Sequence, residues 1–458
     1  MIFKKQYLVT LLFIVALFFR LSIAFLYDIK QVYTDAVMYH NYGVNIARGN
    51  GFSANVTAPF TTNFIREPGN NYFIGLAYKV SSFFGVPPTF IDPAKDKLPD
   101  YMITTVHPEI YWARAFYAVL EAIALVFFFL TLALFFKIRH AFYISLIFAL
   151  FYPASFFVAT LLRESLLTSI LIILNFNFAA YLKKEKNIYL VYIGLLLGLS
   201  ILVFQAMALL GGVICIYLFI LYRKKLAVAV KKTAIVGFIC VTTIVPWLIR
   251  AYNYYPDIRV VKTFGTSLTL EMSGCMAAAF QLNGLGVMDE KALSKYLTGL
   301  YQLPSDQQFH FSIDGTFNRQ TDSLQKILND LPANTFQHRT SYKMKQYLIA
   351  FKYFLCPSYF SGVINTEKIN NANNMRKLFY ILPYTFLFLL VFLGLIGVFI
   401  YRNDFFPMSL IYIFLFLLIL INPFLGSEGR RMLPMFSLWV AGAYFFVIGF
   451  IFKKKLTN

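Results

Sequence analysis

The sequence predicts an all-α polytopic membrane protein with about ten transmembrane helices, and three observations carry that expectation. Apolar residues make up 59% of the 458 and charged residues 14%, well away from the roughly 45–50% and 25% of soluble domains. The apolar residues fall in runs near the ~20 needed to cross a hydrocarbon core. Lys and Arg stand in short clusters between those runs and not in one solvated patch. The formal charge of +20 therefore reads as a topology signal, and nucleic acid is not an expected partner. The 52 Phe and 31 Tyr suit lipid-facing packing and interfacial belts.

In chain order the apolar runs are 7–27, 111–136, 141–158, 162–182, 188–204, 206–222, 233–249, 378–400, 405–423 and 432–452. Two stretches, 141–182 and 188–222, leave two readings open: a hairpin of two short helices, or one long helix plus a re-entrant piece. The first run carries Lys flanks and a faint Ser22-Ile23-Ala24 cleavage pattern. Its roughly 21 apolar residues, interrupted only by Arg20, are long for a signal peptide, so it is read as an uncleaved anchor. With the N-terminus inside, Lys4-Lys5, Lys137 to His140, Lys183 to Lys186, Arg223 to Lys232, Arg402 and Lys453-Lys454-Lys455 all fall on the cytoplasmic side, as the bias of short loops requires. Both termini are then cytoplasmic. The exception is Arg430-Arg431, placed outside just before the last run.

Three regions follow: a transmembrane core over 1–249 that includes a first outer loop 28–110, an outer loop domain over 250–377, and C-terminal transmembrane helices over 378–458. In the first loop, Asp35 to Arg48 and Asn70 to Phe84 carry apolar residues at helical spacing between Gly and Pro turns, which predicts helices lying along the membrane surface. The second loop opens at Arg250 and has helical stretches near 289–302 and 319–353, with Asn370 to Asn374 as a short linker. Cys215 and Cys240 lie in apolar runs. Cys275 and Cys356 share the second loop, and whether they pair stays open. His40, His107, His140, His310 and His338 show no close ligand spacing, so no metal is expected.

Candidate chemistry gathers in the outer loops. Transfer of a sugar from a lipid phosphate needs a base for the acceptor's proton and cations for the leaving phosphate. Asp35, beside Tyr33 and Tyr39, is the candidate base, although a carboxylate at a helix start also reads as a cap. Arg66, Arg250, Arg430 and Arg20 are candidate phosphate ligands, because guanidinium offers paired donors. Each has a plainer reading: Arg20 snorkelling to the interface, Arg250 ending a helix, Arg430 meeting headgroups. Glu67 and Glu164 are candidate orienting groups, and a surface pair between Arg163 and Glu164 is the alternative.

Several segments resemble the GT-C superfamily of membrane glycosyltransferases, especially relatives of protein O-mannosyltransferases and of the lipid A aminoarabinose transferases. Asp35 to Tyr39 is similar to the family's Asp-x-x-x-Tyr, and Gly49-Asn50-Gly51-Phe52 to its Gly-x-Gly-Phe. Arg66-Glu67-Pro68-Gly69-Asn70-Asn71 departs from its Arg-Pro-Pro-Gly-Tyr-Pro. Tyr152-Pro153, Leu162-Arg163-Glu164-Ser165, Gly194 to Leu199, Pro246-Trp247-Leu248-Ile249-Arg250 and Glu428 to Pro434 resemble later family segments in the right order. Two further departures are Val203-Phe204-Gln205-Ala206, where the family often has Leu-Thr-Arg-Pro, and Ala251 in place of Asn.

The resemblance implies an inverting transferase in a prokaryotic plasma (inner) membrane, with its active site on the outer face. Its donor would be a polyprenyl-phosphate sugar, its acceptor an extracytoplasmic protein, lipid or polysaccharide, with no obligatory cofactor. The competing class is a transporter or flippase for a lipid-linked glycan. Such proteins place ionisable groups at mid-membrane and often show duplication, whereas these runs read as nearly free of central charges and show no repeat.

Overall fold

The computed structural model describes residues 2–26, 34–60, 66–92, 107–254, 389–400 and 435–451, and among the described residues it contains helices and no strands. The first helix, α1, runs Ile2–Leu26, and the first outer loop supplies α2 (Thr34–Arg48) and α3 (Pro68–Phe83). Then come α4 (Glu109–Phe135), α5 (Ile138–Ala149), the short α6 (Tyr152–Ser155) with a 3-10 turn Phe156–Ala159, and α7 (Arg163–Lys184). The chain continues with α8 (Asn187–Val203), α9 (Met207–Leu221) and α10 (Leu226–Tyr254). Later segments are α11 (Leu389–Ile400) and α12 (Phe436–Tyr444), which passes into a π-helical turn Phe445–Ile451.

Against an expectation of ten spans, four described helices are long and apolar enough to cross a bilayer: Lys5–Leu26, Glu109–Phe135, Arg163–Lys184 and Leu226–Arg250. A fifth is formed if α5 and Tyr152–Ala159 act together across a 57° bend. The bend falls where α6 begins, with Pro153 in its opening turn, a position that suits a proline because no helical donor is needed there. The residue that caps the new helix, Phe151, is extended. Of the two ambiguous stretches, 188–222 resolves into two short apolar helices that break at Phe204. The run 405–423 and residues 255–377 of the expected outer domain 250–377 lie outside the described residues.

Packing follows a simple order: α1 on α4 and α5, α4 on α7, α7 on α8, and α8 on both α9 and α10. The last contact depends on small residues. A Cβ at Gly194 would stand 2.7 Å from the Val236 carbonyl oxygen, and one at Gly198 would stand 2.6 Å from Thr243 Cβ. Small residues one turn apart let two backbones approach, which is how apolar helices gain packing energy where no water is displaced. At one end of the bundle the basic loops are tied together. Lys183 Nζ donates to the Leu134 carbonyl at 3.1 Å, Lys232 donates to Asn187, and the Tyr181 and Tyr222 hydroxyls meet at 2.8 Å.

The core is not free of charge, contrary to the sequence reading. Arg20, Arg114 and Glu121 are all buried within the helices. Arg20 Nε donates to Glu121 Oε2 at 2.8 Å, its NH1 donates to the Ala149 carbonyl at 3.0 Å, and Ser165 Oγ donates to Glu121 Oε1 at 2.5 Å. One charge network thus joins α1, α4, the end of α5 and α7. A buried carboxylate requires such partners.

The two outer-loop helices, α2 and α3, pack against each other, and α3 also rests on α4 and α8. Side chains of α2 fasten the segment after α3. Asn41 exchanges two hydrogen bonds with the Ile91 backbone at 2.9 and 3.1 Å, and Arg48 donates to the Pro88 carbonyl at 2.6 Å. His40 meets Tyr78 Oη at 2.7 Å and the Thr89 carbonyl at 2.8 Å. Burial lowers the His40 pKa to about 4, so its imidazole is neutral near pH 7.

Candidate active site

The end of the bundle opposite the basic loops is organised around the first turn of α3. Glu67 is extended and Pro68 stands in the opening turn of the helix, where its missing N–H and fixed φ suit a start. A Cβ at Gly69 would lie 2.6 Å from Val203 Cγ2 and 3.0 Å from the Leu202 carbonyl oxygen, so only glycine lets α3 begin against the end of α8. Asn70 and Asn71, two of the residues that depart from the family pattern, both have local partners. Asn70 donates to the Leu161 carbonyl at 3.3 Å and accepts from Tyr117 Oη at 2.6 Å. Asn71 donates to the Glu67 carbonyl at 2.9 Å. Leu161 has φ of 57°, a left-handed conformation costly for a branched residue, and it turns the chain into the first turn of α7, where Arg163 and Glu164 sit.

Charged side chains from three helix ends meet here. Arg163 NH1 donates to Glu67 Oε2 at 2.8 Å, and its guanidinium lies 4.4 Å from the Phe204 ring centroid. It thereby brings a cation to the α8–α9 turn, where Val203 to Ala206 lacks the basic residue of the family motif. Glu164 is 5% exposed and acts electrostatically on Tyr117, the residue that holds Asn70. Arg66 donates from Nε to Met38 Sδ at 3.4 Å and covers the Tyr39 ring at 5.5 Å. Its charge also opposes the rise that burial imposes on the Tyr42 phenol.

From the end of α10, Arg250 NH1 donates to Tyr72 Oη on α3 at 2.9 Å, and the guanidinium lies 5.7 Å from the Trp247 ring. The Gly49-Asn50-Gly51-Phe52 segment packs beside it. Gly49 and Gly51 have φ of 81° and 90°, values that need glycine, and the turn they make seats Phe52 between Tyr42 and Trp247, at 4.5 and 4.9 Å between ring centroids. A Cβ at Gly51 would lie 3.9 Å from Arg250 NH2.

Of the sequence-predicted site residues, Tyr39, Arg66, Glu67, Glu164 and Arg250 are brought to this end. Asp35 lies in the first turn of α2, one turn before Tyr39, while its side chain, Tyr33 and Arg430 fall outside the described residues. Arg20 is held by Glu121 inside the bundle, and Glu121 in turn accepts from Ser165, the neighbour of Glu164. Arg163 pairs with Glu67, a partner the plainer reading did not consider. Nothing local to Arg163 points to a partner 96 residues earlier. Tyr72 and Phe204 carried no sequence signal of their own.

Sequence comparison gives no match to a family model or to a curated protein. Solved structures do match. The oligosaccharyltransferase AglB from Archaeoglobus fulgidus, in complex with an inhibitory peptide and a dolichol-phosphate, aligns with 96% of this chain at 12% identity and a TM-score of 0.50. Its apo form gives 13% and 0.51. The chain spans about half the length of those proteins, covering 50% of each. ArnT from Cupriavidus metallidurans, bound to undecaprenyl phosphate, aligns at 13% identity over 95% of this chain and 77% of that one, with a TM-score of 0.41. The described helices share the fold of the matching half of AglB, and the apolar helices mark an integral membrane protein.

Proposed function

We propose that this chain is a GT-C-type glycosyltransferase that moves one sugar from a polyprenyl-phosphate carrier to an acceptor hydroxyl or amine outside the membrane, with inversion. One observation supports the reading: Glu67 ahead of α3 pairs with Arg163 on α7 while Tyr72 on α3 holds Arg250 on α10, in a chain whose helices resemble half of an oligosaccharyltransferase bound to a dolichol-phosphate. Asp35 takes the acceptor's proton as the acceptor atom bonds to the anomeric carbon. The bond from that carbon to the phosphate oxygen breaks, and the carrier phosphate leaves with the electron pair. Arg66, Arg250 and Arg430 stabilise its growing charge. Tyr33, Tyr39, Glu67 and Glu164 orient the donor and these cations. Arg20, committed to Glu121, positions the start of α7 in place of binding phosphate directly.

The test is the purified full chain in lipid vesicles, given polyprenyl-phosphate sugars radiolabelled in the sugar. Release of polyprenyl phosphate with transfer of label supports the reading; movement of intact donor between leaflets without cleavage replaces it with a flippase. Asp35→Asn should lower transfer by about 10²–10⁴-fold with unchanged membrane insertion and thermal unfolding. Full activity in that variant removes the base role.

A further inference from the structure

A second cluster of ligating side chains lies in the first outer loop, apart from the residues assigned above. His40 of α2 meets His107 and Glu109 at the start of α4, and all three are buried. Their ligand atoms all lie within 4.8 Å of one another. His107 Nδ1 stands 3.4 Å from Glu109 Oε1, and His40 Nε2 stands 3.8 Å from that same oxygen. Ligands of a tetrahedral zinc with bonds of about 2.0–2.1 Å stand roughly 3.3 Å apart. Both distances to the shared Glu109 oxygen are within about half an ångström of that spacing, and closing the set around an ion requires the two imidazoles to draw together.

Thr89 closes the fourth side. Its Oγ1 lies 2.9 Å from His107 Nδ1 and 3.0 Å from Glu109 Oε1, and its carbonyl oxygen lies 2.8 Å from His40 Nε2. Thr89 is itself exposed, which gives a cation a route in from solvent. The other carboxylate oxygen, Glu109 Oε2, is buried without a hydrogen-bond partner among the described residues. Such an anion is costly unless a positive charge faces it.

The remaining contact of His40 fits the same arrangement. With its proton on Nδ1, the imidazole donates to Tyr78 Oη at 2.7 Å and leaves Nε2 unprotonated beside the Thr89 carbonyl oxygen at 2.8 Å, two electron-rich atoms that only a cation between or beside them reconciles. Ligating histidines are commonly held in this way by a hydrogen bond from their other ring nitrogen. With the proton on Nε2, the ring instead donates to the Thr89 carbonyl and the cluster is a hydrogen-bond network without metal. Two imidazoles and a carboxylate form a donor set suited to zinc more than to calcium or magnesium.

We propose that His40, His107 and Glu109 bind one zinc ion, with Thr89 Oγ1 at the fourth position, and that the ion clamps residues 86–92 to α2 and α4. The clamp fixes the helix that carries Asp35 and Tyr39. It takes no part in the transfer chemistry, so it stands or falls separately from the proposed reaction.

The test uses the full chain in detergent, freed of any purification tag and stripped with EDTA, titrated with Zn²⁺ against a chromophoric zinc indicator and separately with Co²⁺. The expected result is one zinc per chain, an intense visible Co²⁺ spectrum of a four-coordinate site, and a rise in unfolding temperature on adding zinc. All three should be lost in His107→Ala and Glu109→Gln and kept in His140→Ala. No uptake by the wild-type chain overturns the proposal even if the variants fail to fold. Uptake that persists undiminished in folded His107→Ala and Glu109→Gln also overturns it, as does a six-coordinate Co²⁺ spectrum.

Discussion

Arg20–Glu121 and Arg163–Glu67 are ion pairs closed at the same 2.8 Å, the first buried and the second partly buried, and their surroundings differ. In the interior pair every charged group is answered: Arg20 also holds the Ala149 carbonyl, and Ser165 caps the second oxygen of Glu121. In the pair at the candidate site, Glu67 Oε1 has no hydrogen-bond partner among the described residues, and Arg163 rests on the face of Phe204. The interior pair is complete without a ligand and fixes α1, α4 and α7. The other pair keeps acceptor capacity at the start of α3, as expected where a substrate completes the set. Both carboxylates are buried, and what separates them is whether each is satisfied.

The same substitution at both carboxylates tests this contrast. Glu121→Gln leaves Arg20 without its counter-charge in the bundle and should cost about 3–5 kcal/mol, read by thermal or denaturant unfolding in detergent. A loss no larger than that of Glu67→Gln would end the distinction. Next in size is Gly198→Val, where overpacking against Thr243 and the Cys240 carbonyl should cost about 1–3 kcal/mol. As an interior change, it should leave donor KM unaltered in the folded fraction. Glu67→Gln keeps a neutral acceptor for Arg163 and should lose only about 1 kcal/mol of stability, while transfer activity falls. Activity equal to wild type would assign Glu67 to structure alone. The smallest effect belongs to Tyr72→Phe, which removes the hydroxyl bonded to Arg250. Donor KM should rise by up to roughly tenfold, the equivalent of 0.5–1.5 kcal/mol, with unchanged unfolding temperature; an unchanged KM would detach Arg250 from the donor.

Much of the scaffold was legible because its signals are local. Apolar run length and the Lys/Arg clusters located α1, α4, α7 and α10, whereas the break between Ala149 and Tyr152 inside the run 141–158 was not read from the sequence. Helical spacing found α2 and α3 to within a few residues. Gly194 and Gly198, noted only as a family feature, proved to be the contact points between α8 and α10. The ion pairs were not legible: nothing in the sequence linked Arg163 to Glu67, and Glu121 was passed over inside an apolar run.

The sequence by itself determined that this chain is built of membrane-length helices, with basic loops at one end and a carboxylate- and arginine-bearing loop after the first helix. Those properties depend on residue type and on periods of a few residues. Only the tertiary structure decided that Arg20 answers Glu121 across 101 positions, that Arg163 answers Glu67, and that His40 meets His107 and Glu109. Partner choice depends on how each helix is rotated and where its end is docked. Those quantities come from the sum of many weak packing contacts along the whole chain, and no short stretch of sequence encodes them.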